Sequence, residues 1–480
     1  MDRRSILIGL GAAGMASLAP NRAMAAPPQL VDPLDHGAKA DGRTDDRAAI
    51  QRAIDACAAA GGGVVVLSPG RTFLSGGVEL RNDVCLYLGA GAALKAAADR
   101  ASYGDRGALV FARGASGCGV AGPGTIEGNW SAFLSSRAGG GFESAYTFLG
   151  RWDPERPGGI GATAATGRPR MLLFVGCRRV ALADFQIVGA PSWTVHLLGC
   201  EDVSVTRISI RNEITVPNCD GIDIDRCRRV RVSGCDIRAG DDGICLKASS
   251  AFGDMGPCED ITVTGCTITS GSSAIKLGSA ATSPIRRVVV SSCVISDSNR
   301  GVALQNRDGS TYENIVFSDL VISTRYYPSE WWGAAEPIHI SNVPRLADQA
   351  SSGTIRGISF ADIRCVGESG VFIHGAPASP VEDITLRGVS VELTKQSNEL
   401  GGFYDLRPSA RNKDVHRSAI AGVHAEGVDR LALRDVDVLF RPPVAEIYGP
   451  ALWTRRVRNL DATGFRGSRV HAATRRRGSL

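Results

Sequence analysis

Nine eight-residue segments of this chain follow one pattern, apolar-x-apolar-x-x-apolar-x-apolar. They are VALADFQI (180–187), VSVTRISI (203–210), VRVSGCDI (230–237), ITVTGCTI (261–268), VVVSSCVI (288–295), IVFSDLVI (315–322), ISFADIRC (358–365), ITLRGVSV (384–391) and LALRDVDV (431–438). Their starts step by 23, 27, 31, 27, 27, 43, 26 and 47 residues. That is too irregular for an array of helical hairpins, whereas a coiled β-solenoid absorbs such differences in its loops. Each unit reads as a short strand, a two-residue corner and a second strand, with alternate side chains directed inward. The expected fold class is all-β, a single-stranded parallel β-helix. A solenoid has an open apolar end, and TDDRAAIQRAIDACAAAGGG (44–63) reads as its lid: a helix capped by Thr44 or Asp45, with acids in its first turn and Ile50, Ile54 and Cys57 on one face. The organisation is one solenoid domain over residues 30–445, its N-terminal cap at about 30–95, followed by a tail at 446–480.

Strand parity then places side chains. In GIDID, Ile222 and Ile224 point inward, so Asp223 and Asp225 point out; in GICLK and AIKLG the outward residues include Lys247 and Lys276. Two residues before each first inward residue stand Asp220, Asp242, Ser273 and Arg300, with Trp193 at the head and Glu336 continuing the column. His196 falls above Asp223, and Asp241 lies one step beside Asp242. Equivalent positions on adjacent coils are about 4.8 Å apart, so these carboxylates cannot all ionise cheaply. One acid kept protonated beside another kept basic is what glycoside hydrolysis requires. Solvated corner aspartates are the plain alternative, and the preferred one for Asp223 or Asp225 taken alone. Calcium would also suit hard oxygen ligands, but Lys247 and Lys276 in the same patch oppose a cation, so neither a metal nor a cofactor is expected.

The motifs NCDGIDID and GDDGICLK, after GAPSWTVHLLGC (189–200), resemble those of glycoside hydrolase family 28, the polygalacturonase family. The segment DHGAKADGRTDDRAAIQRAIDACAAAGGGVVVLSPG resembles the N-terminal part of the wider pectate-lyase-like β-helix superfamily. The resemblance spans roughly residues 30–440 and implies a right-handed parallel β-helix that hydrolyses a glycan with inversion. It implies Asp241 as general acid and Asp220 with Asp242 as the pair that activates water. Two departures stand out. The family's Gly-His-Gly is Ser272-Ser273-Ala274, and its uronate-gripping Arg-Ile-Lys is Ala303-Leu304-Gln305. Lys276 and Arg300 could replace those cations in binding a substrate carboxylate, or could neutralise the aspartates. In the long loop at 324–345, Trp331 and Trp332 could stack on a sugar or pack beneath the loop. Asp405 and Arg407 could pair with each other.

The ends and the composition bound the rest. MDRRSILIGLGAAGMASLAPNRAMA has a twin arginine, a short apolar stretch and an Ala-x-Ala ending at Ala25, the pattern of a twin-arginine export signal over 1–25. Arg3, Arg4 and Arg22 against Asp2 place +2 of the formal +5 there, and the RRR at 475–477 accounts for the remaining +3. The near-neutral body argues against nucleic acid. Thirteen cysteines invite disulfides, yet Cys235, Cys266 and Cys293 recur at one inward position and read as a buried thiol ladder. The expectation is an exported monomeric enzyme, without a membrane anchor, acting on a polysaccharide or oligosaccharide of pectin type. A lyase using a base and calcium, and a non-catalytic carbohydrate-binding solenoid, are the competing classes.

Overall fold

A computed structural model describes residues 29–133, 168–250, 253–327, 333–346, 348–406 and 416–467, together with a strand at 470–472. The leader at 1–25, Trp331, Trp332, Arg407 and the arginines at 475–477 lie outside the described residues.

The nine repeats stack in one parallel ladder. Val180 pairs with Val203, and the line runs on through Val230, Ile261, Val288, Ile315, Ile358, Ile384 and Leu431. The last residues of the octads form a second ladder, from Ile187 through Ile210, Ile237 and Ile268 to Val438. A third face carries Leu172, Val195, Ile222, Ile244, Ile275, Val302 and Ile338 in register. The inward residues of all three faces make one core running the length of the solenoid.

The corner between the first two faces has a backbone cause. The fifth residue of every octad has positive φ: Asp184, Arg207, Gly234, Gly265, Ser292, Asp319, Asp362, Gly388 and Asp435. The left-handed conformation turns the chain so that the sixth residue, among them Phe185, Cys235 and Leu320, points back into the core. Glycine adopts it without a Cβ clash, and aspartate tolerates it better than most residues, which explains the composition of that position.

The lid helix is shorter than its sequence pattern predicts, Arg47–Ala59. Thr44 and Asp45 belong to the preceding strand, Asp41–Asp45, and the first turn holds no acid. Asp46 stands at the N-cap, its side chain making no bond to the helix; its carboxylate accepts from the Lys39 and Ala40 amides at 2.6 and 2.9 Å. Ile50, Ile54 and Cys57 are fully buried, as the face pattern requires.

At the other end the solenoid runs past residue 445. Leu452–Asp461 pairs in parallel with Val423–Arg434, and Val470–Ala472 pairs with Leu452–Asp461. Trp453 and Leu460 extend existing ladders, so this segment is further coil rather than tail. All thirteen cysteines are free thiols. The Cys235–Cys266–Cys293 ladder is buried, and a second one, missed from spacing, runs through Cys177, Cys200, Cys227 and Cys258. There the Cys200 amide donates to Cys227 Sγ at 3.3 Å.

Candidate active site

Backbone hydrogen bonds assemble the expected column. Thr194 N–H donates to Asp220 O, Gly221 N–H to Asp242 O, and Gly243 N–H to Ser273 O. Ser273 pairs with Arg300, and Gly301 N–H donates to Glu336 O. Met171 N–H donates to Trp193 O, which puts Arg170 at the head of the column. Arg170 was legible by its offset, two residues before the inward Leu172, as Asp220 stands before Ile222.

One carboxylate oxygen from each of Asp220, Asp241 and Asp242 lies within 4.8 Å of the others. The aspartates are 3%, 9% and 2% exposed, so all three are nearly enclosed, Asp241 the least. Asp242 is held on both sides: Ser272 Oγ donates to Oδ1 at 3.0 Å and Lys276 Nζ to Oδ2 at 2.7 Å. The serine that replaces the first glycine of Gly-His-Gly therefore binds this carboxylate. Lys276, one coil from Ala303, is spent on Asp242.

Asp220 is treated differently. Its Oδ1 has no hydrogen-bond partner, and its Oδ2 lies 3.7 Å from Lys247 Nζ. Burial, then the charges of Asp223 and Asp241, push its pKa well above the ordinary carboxylate range, and Lys247 only partly opposes them. The same burial raises Asp223, whose Oδ1 lies 3.0 Å from Lys247. Asp223 and Asp225 are fully buried, which overturns the reading of either as a solvated corner residue. The solenoid parity was right, but neighbouring chain covers that face. Asp225 accepts from the Ser249 amide at 3.1 Å, and His196 Nε2 stands 3.9 Å from it.

Lys247 is the hub. Besides its two aspartates it sits 2.8 Å from Cys245 Sγ and 4.8 Å from the centre of the Trp193 ring, which meets the His196 ring edge-on. Burial works against the ammonium, yet Cys245 first and then Asp223, Asp220 and Asp242 raise its pKa well above the ordinary lysine value.

Arg300, read as either binding a substrate carboxylate or neutralising the aspartates, and Glu336, read as continuing the column, pair with each other instead. Both are fully buried, and Arg300 Nε donates to Glu336 Oε2 at 3.2 Å while Nη2 donates to Asp405 Oδ2 at 2.8 Å. Asp405 therefore pairs with Arg300, because the Phe403–Tyr404 segment carries it back over the column.

Two arginines were missed altogether. Arg168 donates to Pro191 O and Pro217 O, both at 2.8 Å, and to Asn218 Oδ1 at 3.1 Å, pinning the loop that carries Asp220. No strand period reaches it, so sequence held no signal for it. Arg170 and His196 line a cavity of about 620 Å³ together with Asp105, Arg106, Arg113, Phe111 and Met255.

A model of glycosyl hydrolases family 28 matches residues 77–404, and that stretch contains the whole aspartate column. A probable polygalacturonase of Vitis vinifera is 25% identical over 236 residues, 45% of this chain and 43% of that protein, so the match spans less than half of the curated relative. A hyperthermoactive exopolygalacturonase from Thermotoga maritima superposes with a TM-score of 0.62 at 25% identity, covering 77% of this chain and 89% of that one. The family 28 exopolygalacturonase of Yersinia enterocolitica shares the fold with a TM-score of 0.66 at 17% identity over 92% of this chain and 79% of its own. By the extent of the family match, the chain belongs to glycosyl hydrolases family 28.

Proposed function

We propose that the protein hydrolyses glycosidic bonds in a pectin-type polysaccharide or oligosaccharide, with Asp241 as general acid and Asp220 and Asp242 activating water. The observation that carries this reading is the convergence of three carboxylates within 4.8 Å on adjacent coils, in unequal environments. Asp242, pinned by Lys276 and Ser272, is a fixed anion. Asp220, with an unbonded oxygen and a raised pKa, is the more basic partner of the water. Asp241 is the least enclosed of the three and stands off the column, where a leaving oxygen can reach it.

Burial favours a proton on Asp220, while the family resemblance places the proton on Asp241. A raised pKa also makes Asp220 a stronger base once ionised, which suits water activation. The stereochemistry needs a separate argument. Inverting pairs usually stand about 6.5–9.5 Å apart, whereas one oxygen from each aspartate lies within 4.8 Å of the others here. Inversion is supported instead by Asp242, whose two oxygens already accept from Ser272 and Lys276. A carboxylate bound at both ends orients water well and attacks a sugar carbon poorly. An NMR time course on a pectic oligosaccharide should show the anomer inverted; a retained anomer would make the spacing the better guide and overturn the two-base assignment.

The cations suited to an acidic sugar are those lining the cavity, Arg106, Arg113 and Arg170, in place of the absent Arg-Ile-Lys. Export follows from Arg3-Arg4 and Ala23-Met24-Ala25, and among the described residues no helix is long and apolar enough to cross a membrane. Periplasmic protein should begin at Ala26; an intact Met1 on exported protein would contradict the leader.

A further inference from the structure

Far along the same outward face, a second constellation of side chains takes no part in the aspartate chemistry. His374 lies on the strand Val371–Gly375, and His424 and Glu426 lie on Val423–Arg434, in register so that Phe372 faces His424 and His374 faces Glu426. His416 reaches the same place from above, on the two-residue strand that pairs antiparallel with Phe403–Tyr404. Counted along the ladder, His424 stands five coils beyond Cys245, roughly 24 Å from the aspartates at the usual strand spacing.

One ligand-capable atom from each of His416, His424 and Glu426 lies within 4.8 Å of the others. His374 Nδ1 adds a fourth, 3.7 Å from Glu426 Oε2. His424 is fully buried, yet neither ring nitrogen has a hydrogen-bond partner, and Glu426 Oε2 and His374 Nδ1 have none either. Buried polar atoms are rarely left so, and four of them converge here. Glu426 Oε1, by contrast, is fully engaged, accepting from Arg455 at 2.5 Å and Arg456 at 2.9 Å. That is the arrangement of a ligating carboxylate oriented by outer partners, with its second oxygen turned to the histidines.

We propose that His374, His416, His424 and Glu426 bind a divalent transition metal of the zinc type, clamping the His416 strand to the solenoid. Three imidazoles and one carboxylate suit zinc in tetrahedral geometry; His416, His424 and Glu426 already stand within 4.8 Å of one another, and His374 joins them through Glu426. Burial supports the chemistry by keeping the imidazoles neutral: His374 is lowered to about 4, and His416 and His424 lie below the ordinary histidine value. Among the described residues, the other group close enough to hold an ion is the aspartate cluster, where Lys247 and Lys276 oppose one.

The test uses the full chain freed of metal with a chelator. Zinc is titrated in competition with a chromophoric chelator, cobalt is substituted for its spectrum, and Tm is read with and without zinc. One equivalent should bind, Tm should rise, and cobalt should show tetrahedral ligand-field bands without a thiolate charge-transfer band. His416→Ala alters a half-buried residue on a short strand and should fold normally; it should weaken zinc more than the roughly 10–100-fold that losing an outer-shell partner costs. His424→Gln should do the same, whereas Asp241→Asn should leave binding unchanged. Absence of stoichiometric binding to the parent chain would overturn the site. So would thiolate bands, or affinity that survives His416→Ala and His424→Gln but is lost in Asp241→Asn. In each of those cases the imidazoles serve only to fill the stack between Phe372 and Trp453.

Discussion

One column of outward positions holds two buried charge clusters whose carboxylates are satisfied to different degrees. In the upper one, around Asp220 and Asp242, four acids (Asp220, Asp223, Asp241, Asp242) share Lys247 and Lys276, and Asp220 keeps an oxygen without a partner. In the lower one, Arg300 is matched by Glu336 and Asp405, and every carboxylate oxygen of Glu336 is occupied. Its Oε2 accepts from Arg300 and the Ala334 amide, and its Oε1 accepts from the Asp405 amide and faces His339. Burial alone would raise both Asp220 and Glu336. It does so for Asp220, whereas Arg300, His339 and the Ala334 amide outweigh it and hold Glu336 far below the carboxylate range. Enclosure does not decide which buried acid is reactive; the balance of partners does.

The comparison breaks most visibly on activity. Asp241→Asn should lower kcat by about 10²–10⁴-fold, the usual worth of a positioned proton donor, while Tm stays within a degree or two of the parent. Steady-state kinetics on a pectic oligosaccharide, with thermal unfolding of the same sample, measure both. Near-normal turnover would move the acid role elsewhere, Asp220 being the next candidate.

Glu336→Gln should do the reverse. The change leaves Arg300 its partner Asp405 but takes away the carboxylate that accepts from Arg300 and from the Ala334 and Asp405 amides, so the cost should fall below the about 3–5 kcal/mol of an uncompensated buried charge. The expected result is a large fall in Tm, with kcat of the folded fraction changed only a few-fold. A loss of kcat at unchanged Tm would mean that the lower cluster serves the reaction after all.

Lys276→Met sharpens the border between the clusters. Its ammonium bonds Asp242, so its loss should lower kcat by about 10–100-fold, equally on a uronate substrate and on its carboxyl-reduced analogue. A much larger loss on the uronate would show that Lys276 also reads the substrate carboxylate.

The sequence made the ladders and the column legible because period 2 is strict wherever one face is buried, and one misplaced residue would turn a whole strand inside out. That is why nine octads, Asp220, Asp242, Ser273, Arg300 and Glu336 all fell in register. Parity could not show that the outward face is covered, so Asp223, Asp225 and Arg300 were read as facing solvent or substrate. Covering segments have no period. Asp405 arrives from a loop 105 residues downstream of Arg300, and Arg168 grips a loop 50 residues away. The left-handed fifth position was visible in composition, Asp or Gly in seven of the nine octads, but its meaning depends on φ. The lid helix lost its first turn because Asp46 bonds the backbone of residues 39 and 40, a competition between side chain and helix that no face pattern records.

The smallest effect isolates the penalty at Asp220. Its folded pKa lies above that of the unfolded chain, near 3.9 for an ordinary aspartate. Folding therefore favours the protonated form: the stabilisation from that proton is complete below the unfolded pKa and is lost as pH rises through the folded one. Above the unfolded pKa this acid is a standing cost to the fold, because burial and the charges of Asp223, Asp241 and Asp242 oppose its ionisation. Asp220→Asn removes the charge and leaves Lys247 its partner Asp223 at 3.0 Å. The variant should be inactive and yet more stable at pH 7 by roughly 0.5–2 kcal/mol, the range common for relieving a functional site of strain. Its advantage should shrink toward pH 4, where the parent Asp220 is already protonated. Paired unfolding measurements at the two pH values decide the matter. An Asn variant less stable at pH 7, or one whose advantage grows as pH falls, would mean that Asp220 is a satisfied ion like Glu336, and the contrast between the two clusters would collapse.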